Sequence, residues 1–376
     1  MRLIHTADWQ IGKVFRFVDD ATMGVLQEAR LDAISTIGRL AIERAAPIVL
    51  VAGDVYDQEE VSARTLGQPI ERMRAFPAVE WHLLPGNHDP HRSAGIWDRV
   101  VRHGLPEQVQ VHLEPRPVAI GGGAAWLLPA ALAGRRVAAD PTAWMDDAPA
   151  AADVIRIGLA HGSIATFGSH GGDAPNYIAP DRPQLARLDY LALGDWHGLK
   201  QIGPRCWYAG TPEPDRFDQP DGGRVLLVEI EAAGALPQVL PVETARYEWR
   251  REQVALHGPE DIDRLERRFR QSGTALDRLL IDLKIEGALS LADRQTFEHR
   301  IVRWLGAASC WLQVDDAGLL PVPSAADLDA MASGGVLRDA ALRLKAIAEN
   351  PEDARKELAA RALVRLYLEL RRAAPA

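Results

Sequence analysis

Hydrophobic positions in the first half of this chain come in short runs, and each run ends on a polar cluster. The runs at residues 2–6, 48–52, 79–84, 155–160 and 190–193 read as strands. Between the first two, Val25, Ala29, Leu31, Ile34 and Ile37 recur at helical spacing within 23–45 and predict one buried helical face. Residues 61–75 and 94–103 are two further helix candidates. This β-α-β-α-β order predicts a predominantly parallel sheet with helices packed on it. From residue 109 the texture changes to short strands and Gly/Pro turns, at 109–113, 118–120 and 124–128, as in a second sheet facing the first. Residues 207–208 and 225–230 are expected to be that sheet's last strands.

Two stretches interrupt the pattern. Residues 130–153 are rich in Ala, Asp and Pro and predict a surface excursion with a short helix. Residues 162–180 carry Gly162, Gly168, Gly171 and Gly172 and form a long loop straight after His161, either functional or a variable insertion. Past Glu231-Ala232-Ala233-Gly234 the pattern changes again. Strand-like 238–242, 246–250, 279–285 and 309–314 alternate with helix-like 259–271 and 291–305, which predicts a small α/β module. A Pro-containing linker at 319–324 leads to a helical tail. There Asn350-Pro351-Glu352-Asp353 reads as a helix start, with Asn as cap, Pro in first position and two carboxylates in the first turn. The helix that follows carries Leu358, Ala359, Ala362, Leu363, Leu366, Tyr367 and Leu370, more apolar surface than a free terminal helix shows. It packs either on the chain's own body or on a partner. The expected domains are 1–235, 236–320 and 325–376.

Composition narrows the class. The 376 residues suffice for two or three domains, and 47% hydrophobic with 25% charged residues excludes a disordered chain. No apolar run reaches the roughly 18 residues of a spanning helix. The N-terminus enters a strand directly, and two cysteines, Cys206 and Cys310, suit a reducing compartment. A cytoplasmic protein with no membrane association is expected. The net charge of −9 is not that of a protein binding nucleic acid alone. Either the substrate is no polymer, or a partner and bound cations supply the positive charge.

The polar clusters carry the chemistry. They read Asp8-Trp9-Gln10, Gly53-Asp54-Val55-Tyr56-Asp57, Gly86-Asn87-His88-Asp89 and Gly194-Asp195-Trp196-His197, with His161 closing the fourth run. Side chains just past the C-terminal ends of several strands can meet at one point. Asp, Asn and His together are the ligand mixture of hard or borderline divalent cations. Each motif alone is weak, since Asn-His-Asp also forms turns. Their order, each after a strand, predicts a dinuclear metal site. Among other histidines, His5 and His82 lie in apolar runs and read as packing residues. His91 and His103 read as surface groups, with His91 near enough to line the cleft, and His170 in the glycine loop could contact substrate. Trp9 and Trp196 could pack around the pocket or stack on an unpaired base.

This set resembles the calcineurin-like metallophosphoesterase superfamily, whose usual pattern is D-x-H, G-D-x-x-D, G-N-H-D/E, H and G-H-x-H. The flanks Leu3-Ile4-His5-Thr6-Ala7 and Asp189-Tyr190-Leu191-Ala192-Leu193, and the stretch Tyr208-Ala209-Gly210-Thr211-Pro212-Glu213, are similar to those of the SbcD-like and Mre-eleven-like DNA double-strand-break-repair nucleases, nearest the bacterial YhaO-like group. The resemblance covers residues 1–250. It implies a two-sheet αββα sandwich with a small α/β capping domain and a helical C-terminal tail. It implies that Asp8 and His197 hold a first metal, Asn87 and His161 a second, and that Asp54 bridges them. His88 would give a proton to the leaving oxygen, Asp89 would orient its ring, and Asp57 would support the ligands. A metal-bridging hydroxide would attack the phosphodiester in line.

Two positions depart from the pattern. Gln10 stands where a histidine is usual, and Asp195 stands for the first histidine of G-H-x-H. Gln10 either ligates through its amide oxygen or not at all. Asp195 adds a hard ligand and favours Mn²⁺, or Mg²⁺, over softer ions. The site is then either re-tuned and active with two metals, the preferred reading, or a one-metal site of reduced activity. The function this implies is an Mn²⁺-dependent DNA exonuclease or endonuclease in repair, working with an SbcC-like coiled-coil ATPase and dimerising through helices of its first domain. A small-molecule or cyclic-nucleotide phosphodiesterase and a non-catalytic scaffold for the ATPase are the alternatives.

Overall fold

The computed structural model describes residues 1–149, 153–164, 176–218, 221–321, 336–350 and 352–373. His170, most of the glycine loop and the start of the expected tail lie outside them. The chain forms two units, Met1–Tyr247 and Glu248–Ala376.

In the first unit β1 (Arg2–Thr6), α1 (Asp20–Glu43), β2 (Ile48–Val51), α2 (Ala63–Arg74), β3 (Glu80–Leu83), α3 (Ile96–His103) and β4 (Val109–Val111) alternate. The four strands pair in parallel in that order. Parallel neighbours need a crossover, and the three helices supply it. The Asp19 carboxylate caps α1 by accepting from the Thr22 N–H at 2.9 Å, and the Ser62 hydroxyl does the same for α2. The buried face of α1 uses Leu26, Ala29, Ile34 and Ile37, while Val25, expected inside, is exposed because it lies one step off that stripe. Along β2 alternate residues enter different cores. Val49 and Val51 pack with Ile34, Ile37, Met73 and Trp81 under the helices. Ile48 and Leu50 pack with Leu3, Ile157, Leu159 and Tyr190 between two sheets. Burial on both faces is why these strands read as continuous apolar runs.

The second sheet contains β5 (Val118–Ile120), β6 (Ala125–Ala130) and β7 (Ile155–His161). The short pair β8 (Ser163–Ile164) and β9 (Tyr177–Ile178) and α4 (Arg182–Leu185) follow, before β10 (Tyr190–Gly194), β11 (Lys200–Gly203) and β12 (Cys206–Tyr208). Its order is β11-β12-β10-β7-β6-β5. Met145, Ile164, Ile178, Ala186 and Leu188 cover its outer face. The layers are therefore αββα, as expected. Two strands, however, belong to the other sheet from the one anticipated. β4 extends the first sheet beyond β3, and β13 (Arg224–Glu229) pairs antiparallel with β1. β14 (Gln238–Glu243), read as opening the smaller module, pairs with β13 and ends the first sheet.

The second unit is a parallel β15-β16-β17 sheet, β15 (Glu248–Leu256), β16 (Leu279–Leu289) and β17 (Trp311–Pro321). α5 (Pro259–Arg270) connects the first two, and α6 (Leu291–Phe297), continuing as a π-helix over Glu298–Leu305, connects the last two. Ile262, Leu265, Phe269, Phe297 and Ile301 pack on Leu256, Leu283 and Ile285. β17 runs to Pro321, into the expected linker. Among the described residues two helices follow, α7 (Val336–Glu349) and α8 (Lys356–Ala373), meeting through Ala341, Leu344, Leu363 and Leu366. The expected start at Asn350 falls between them: Asn350 Oδ1 accepts from Glu352 N–H, and Asp353 Oδ1 from Arg355 N–H, just before α8 begins. Among the described residues no helix is long and apolar enough to cross a membrane.

Candidate metal centre

The polar clusters meet where the two sheets present the C-terminal ends of β1, β2, β3, β7 and β10. Register brings Thr6 beside Val51, Val51 beside Leu83, and Gly194 beside His161. The sheets are stitched at this edge: the His161 Nδ1–H donates to the Ala52 carbonyl at 2.8 Å, and the Asp195 N–H reaches the Asp8 carboxylate at 3.2 Å. Such approach tolerates no side chain at two positions. A Cβ on Gly194 would lie 1.9 Å from the Ala52 oxygen, and one on Gly86 2.1 Å from Asp54 Oδ1. Asp8 (φ 54°), Gln10 (44°), Asp54 (52°) and Asp195 (103°) all have left-handed backbone. Asp tolerates that conformation better than Gln, so position 10 is held there by its surroundings.

Ligand atoms of Asp8, Asp54 and His161 lie within 4.8 Å of one another, and all three residues are buried. His161 Nε2 is 3.5 Å from Asp54 Oδ1 and 3.8 Å from Asp195 Oδ1. Asn87 donates through Nδ2 to Asp195 Oδ1 at 3.2 Å. That leaves Asn87 Oδ1 and His161 Nε2 buried without a hydrogen-bond partner. An orphaned polar atom costs about 1–3 kcal/mol, and two on residues that both contact Asp195 mark a space for a cation. The pinned Nδ1–H of His161 leaves the Nε2 lone pair outward, the tautomer a metal requires. Carboxylate, amide oxygen and imidazole therefore fit a divalent ion here. Electrostatics agree. Burial works against a charged His161, yet Asp54, Asp8 and Asp195 outweigh it and push its pKa up to about 9. Burial, with Asp54 and Asp195 adding to it, raises Asp8 to about 6 despite the two histidines. The cluster seeks positive charge, and protons compete with metal for it.

Around His197 the arrangement differs. Its Nε2 is 3.8 Å from Asp8 Oδ1 and 3.2 Å from the Gln10 amide nitrogen, and its Nδ1 donates to Asp215 Oδ2 at 2.9 Å. Burial disfavours its charge, but the Asp215 hydrogen bond and Asp8 raise its pKa. Lys13 Nζ donates to Gln10 Oε1 at 2.5 Å and contacts Asp215 Oδ2 at 2.9 Å. Arg30, reaching in from α1, lies 3.8 Å from that oxygen and donates to the Trp9 carbonyl. Although burial opposes it, His197, Arg30 and Lys13 hold the Asp215 carboxyl far below its usual range.

His88 stands at the rim, its side chain 43% exposed, with Nε2 4.0 Å from Asp54 Oδ2. Its Nδ1–H donates to the Asp57 carbonyl at 2.9 Å, so that carbonyl orients the ring, not Asp89. Asp89 is fully buried and accepts from the N–H groups of Tyr56 and Gly86, bracing the turn that carries Asn87 and His88. The His88 N–H in turn holds Asp54 Oδ1 at 2.9 Å. The Asp57 carboxylate is 3.8 Å from Lys13. His5 is buried between Tyr190 and the Leu193 carbonyl, His82 stacks on His112, and His103 is exposed. His91 is 3.7 Å from Asp98. Trp9 is fully buried, whereas Trp196 is 46% exposed with the Lys200 ammonium 5.4 Å from its ring centre. Sequence reasoning missed Lys13, Arg30 and Asp215. Lys13 follows Gln10 within the same turn and Asp215 follows the Thr211-Pro212-Glu213 stretch, which was the only available signal.

A family model described as calcineurin-like phosphoesterase matches residues 1–226. Over 107 residues the chain is 31% identical to the SbcD subunit of the SbcCD nuclease of Rhodobacter capsulatus, a match covering 27% of this chain and 25% of that protein. The chain thus spans about a quarter of that curated relative's length. A solved structure, TT1561 of Thermus thermophilus, aligns at 12% identity with a TM-score of 0.40, covering 65% of this chain and 98% of that one.

Proposed function

The chain belongs to the calcineurin-like phosphoesterase family, and from that premise we propose that it is a metal-dependent nuclease hydrolysing DNA phosphodiester bonds. The observation that carries the reading is the pair of orphaned buried atoms, Asn87 Oδ1 and His161 Nε2, the latter 3.5 Å from Asp54, a carboxylate that the half-exposed His88 also approaches at 4.0 Å. A divalent ion held by Asp54, Asn87 and His161 would supply Lewis-acid charge to the phosphodiester. The remaining work falls to side chains. The Asp57 carbonyl holds the Nδ1–H of His88, so that the ring, as an imidazolium, would present its Nε2–H to the departing oxygen and return to the neutral Nδ1–H tautomer on giving up that proton. Asp89 and Gly86 keep Asn87 and His88 in register, and the His88 N–H holds Asp54 in place.

DNA as substrate is supported by the partial match to a nuclease subunit and by Trp196, whose exposed ring could stack on a base. Mn²⁺ is the proposed ion, in keeping with the carboxylates around the site. The same reading assigns a cytoplasmic repair role, with an SbcC-like coiled-coil ATPase partner engaged by the tail helices and DNA contacted by the smaller α/β module. Dimerisation would use α2 and α3. Exposed Leu337, Leu342 and Leu358 on α7 and α8 favour the partner.

The test is cleavage of linear DNA and of a generic phosphodiester ester by the purified chain with Mn²⁺, with and without the ATPase. Both should be cleaved. His88→Ala should keep its metal and lose about 10²–10⁴-fold in rate; a normally active variant removes His88 from the mechanism. Ester cleavage without DNA cleavage, even with the ATPase, would point to a small-molecule phosphodiesterase, and no cleavage of either to a scaffold.

A further inference from the structure

Lys13, Gln10, His197 and Asp215 close a ring of hydrogen bonds on the Asp8 side of the metal centre. Its four links are Lys13 Nζ to Gln10 Oε1 (2.5 Å), Gln10 Nε2 to His197 Nε2 (3.2 Å), His197 Nδ1 to Asp215 Oδ2 (2.9 Å) and Lys13 Nζ to the same Oδ2 (2.9 Å). Chemistry fixes the direction of each. An ammonium can only donate, so Gln10 turns its carbonyl oxygen to Lys13 and its amide hydrogens to His197. A carboxylate can only accept, so the His197 proton sits on Nδ1, and Nε2 accepts from Gln10. The two atoms through which Gln10 and His197 would grip a metal are thus both engaged as hydrogen-bond acceptors. The corresponding atoms near Asp195, Asn87 Oδ1 and His161 Nε2, have no hydrogen-bond partner.

We propose that this chain holds one divalent ion tightly, among Asp54, Asn87 and His161, and that the Lys13–Gln10–His197–Asp215 ring keeps the neighbouring position closed, with the Lys13 ammonium as its resident positive charge. Arg30, 3.8 Å from Asp215 and 2% exposed at its side chain, adds a second fixed cation behind the ring. A metal entering beside Asp8 must break two hydrogen bonds and approach both charges at low dielectric. Lys13 acts here as a positioning residue. The inference rests on the family reading of a divalent-metal site and does not depend on DNA being the substrate.

Mn²⁺ titrated into the full chain, followed by calorimetry and electron paramagnetic resonance, tests it without reference to activity. One ion per chain should bind tightly with a six-line mononuclear spectrum, and any second ion at least about tenfold more weakly. Asn87→Ala should lose the tight ion. Lys13→Met with Gln10→His should bind two ions and give an exchange-coupled signal, and Lys13→Met alone should strengthen the second ion if the double variant does not fold. Two equally tight, coupled ions in the wild type would overturn the proposal, as would a folded double variant still holding one. No Mn²⁺ bound at all would remove the metal reading with it. One tight ion without DNA cleavage would sink only the nuclease.

Discussion

Gly194 carries two constraints at once, closing β10 against His161 and leaving room for the Ala52 carbonyl of the facing sheet. A methyl group there meets backbone on one side and the His161 ring at 2.8 Å on the other, and neither can rotate away. Gly194→Ala should cost about 2–3 kcal/mol in urea unfolding and weaken Mn²⁺ binding by misaligning His161. Gly203→Ala, with open space around it, is the control; equal midpoints for the two variants would show that the sheets yield. At this scale Asp54, Asn87 and His161 were legible because each follows a strand inside a short, ordered motif. Asp89 was legible as important but not in its task, since a carboxylate beside a histidine in sequence can equally serve the backbone of its own turn. Lys13, Arg30 and Asp215 were not legible: they stand on α1 and two loops, and only folding brings them to one oxygen.

Strands and helices show where pattern suffices. Buried runs identified β1, β2, β3, β7 and β10, and helical spacing identified α1 to within three residues at its start. Sheet membership of β4 and β13 went the other way, because an apolar run records burial and not the neighbour it bonds to. On β1, His5 lies wholly inside the inter-sheet layer, donating to the Leu193 carbonyl and accepting from the Tyr190 hydroxyl. Burial outweighs that carbonyl and pushes its pKa down to about 3 from 6.5. The unfolded chain therefore binds this proton first as the pH drops, so the stability His5 provides is complete above pH 6.5 and is lost as the pH falls toward 3. His5→Gln cannot titrate. Its stability deficit relative to wild type, read from urea midpoints, should shrink by roughly 2 kcal/mol between pH 7 and pH 5. A constant deficit would mean that His5 takes up its proton as readily in the folded protein as in the unfolded chain.

For the molecule, a net charge of −9 leaves little general attraction for phosphate backbone, so DNA affinity has to come from bound cations, local surface or a partner. Leu358 on α8 is 70% exposed, so its loss removes little buried surface. Leu358→Asp should leave the unfolding midpoint within about 0.5 kcal/mol of wild type while abolishing co-purification with the proposed ATPase; retained binding would place the partner elsewhere. The sequence alone determined a parallel sheet with helices on it, a second sheet facing it and the strands whose ends carry the polar clusters, because periodicity and short motifs are local properties; the αββα sandwich came from the resemblance that those motifs carry. Tertiary structure decided which sheet each strand joined, that a backbone carbonyl aims His88, and that Lys13 and Asp215 bracket Gln10 and His197. Those depend on distances between residues up to about two hundred positions apart, which follow from chain crossing and register rather than from any local pattern.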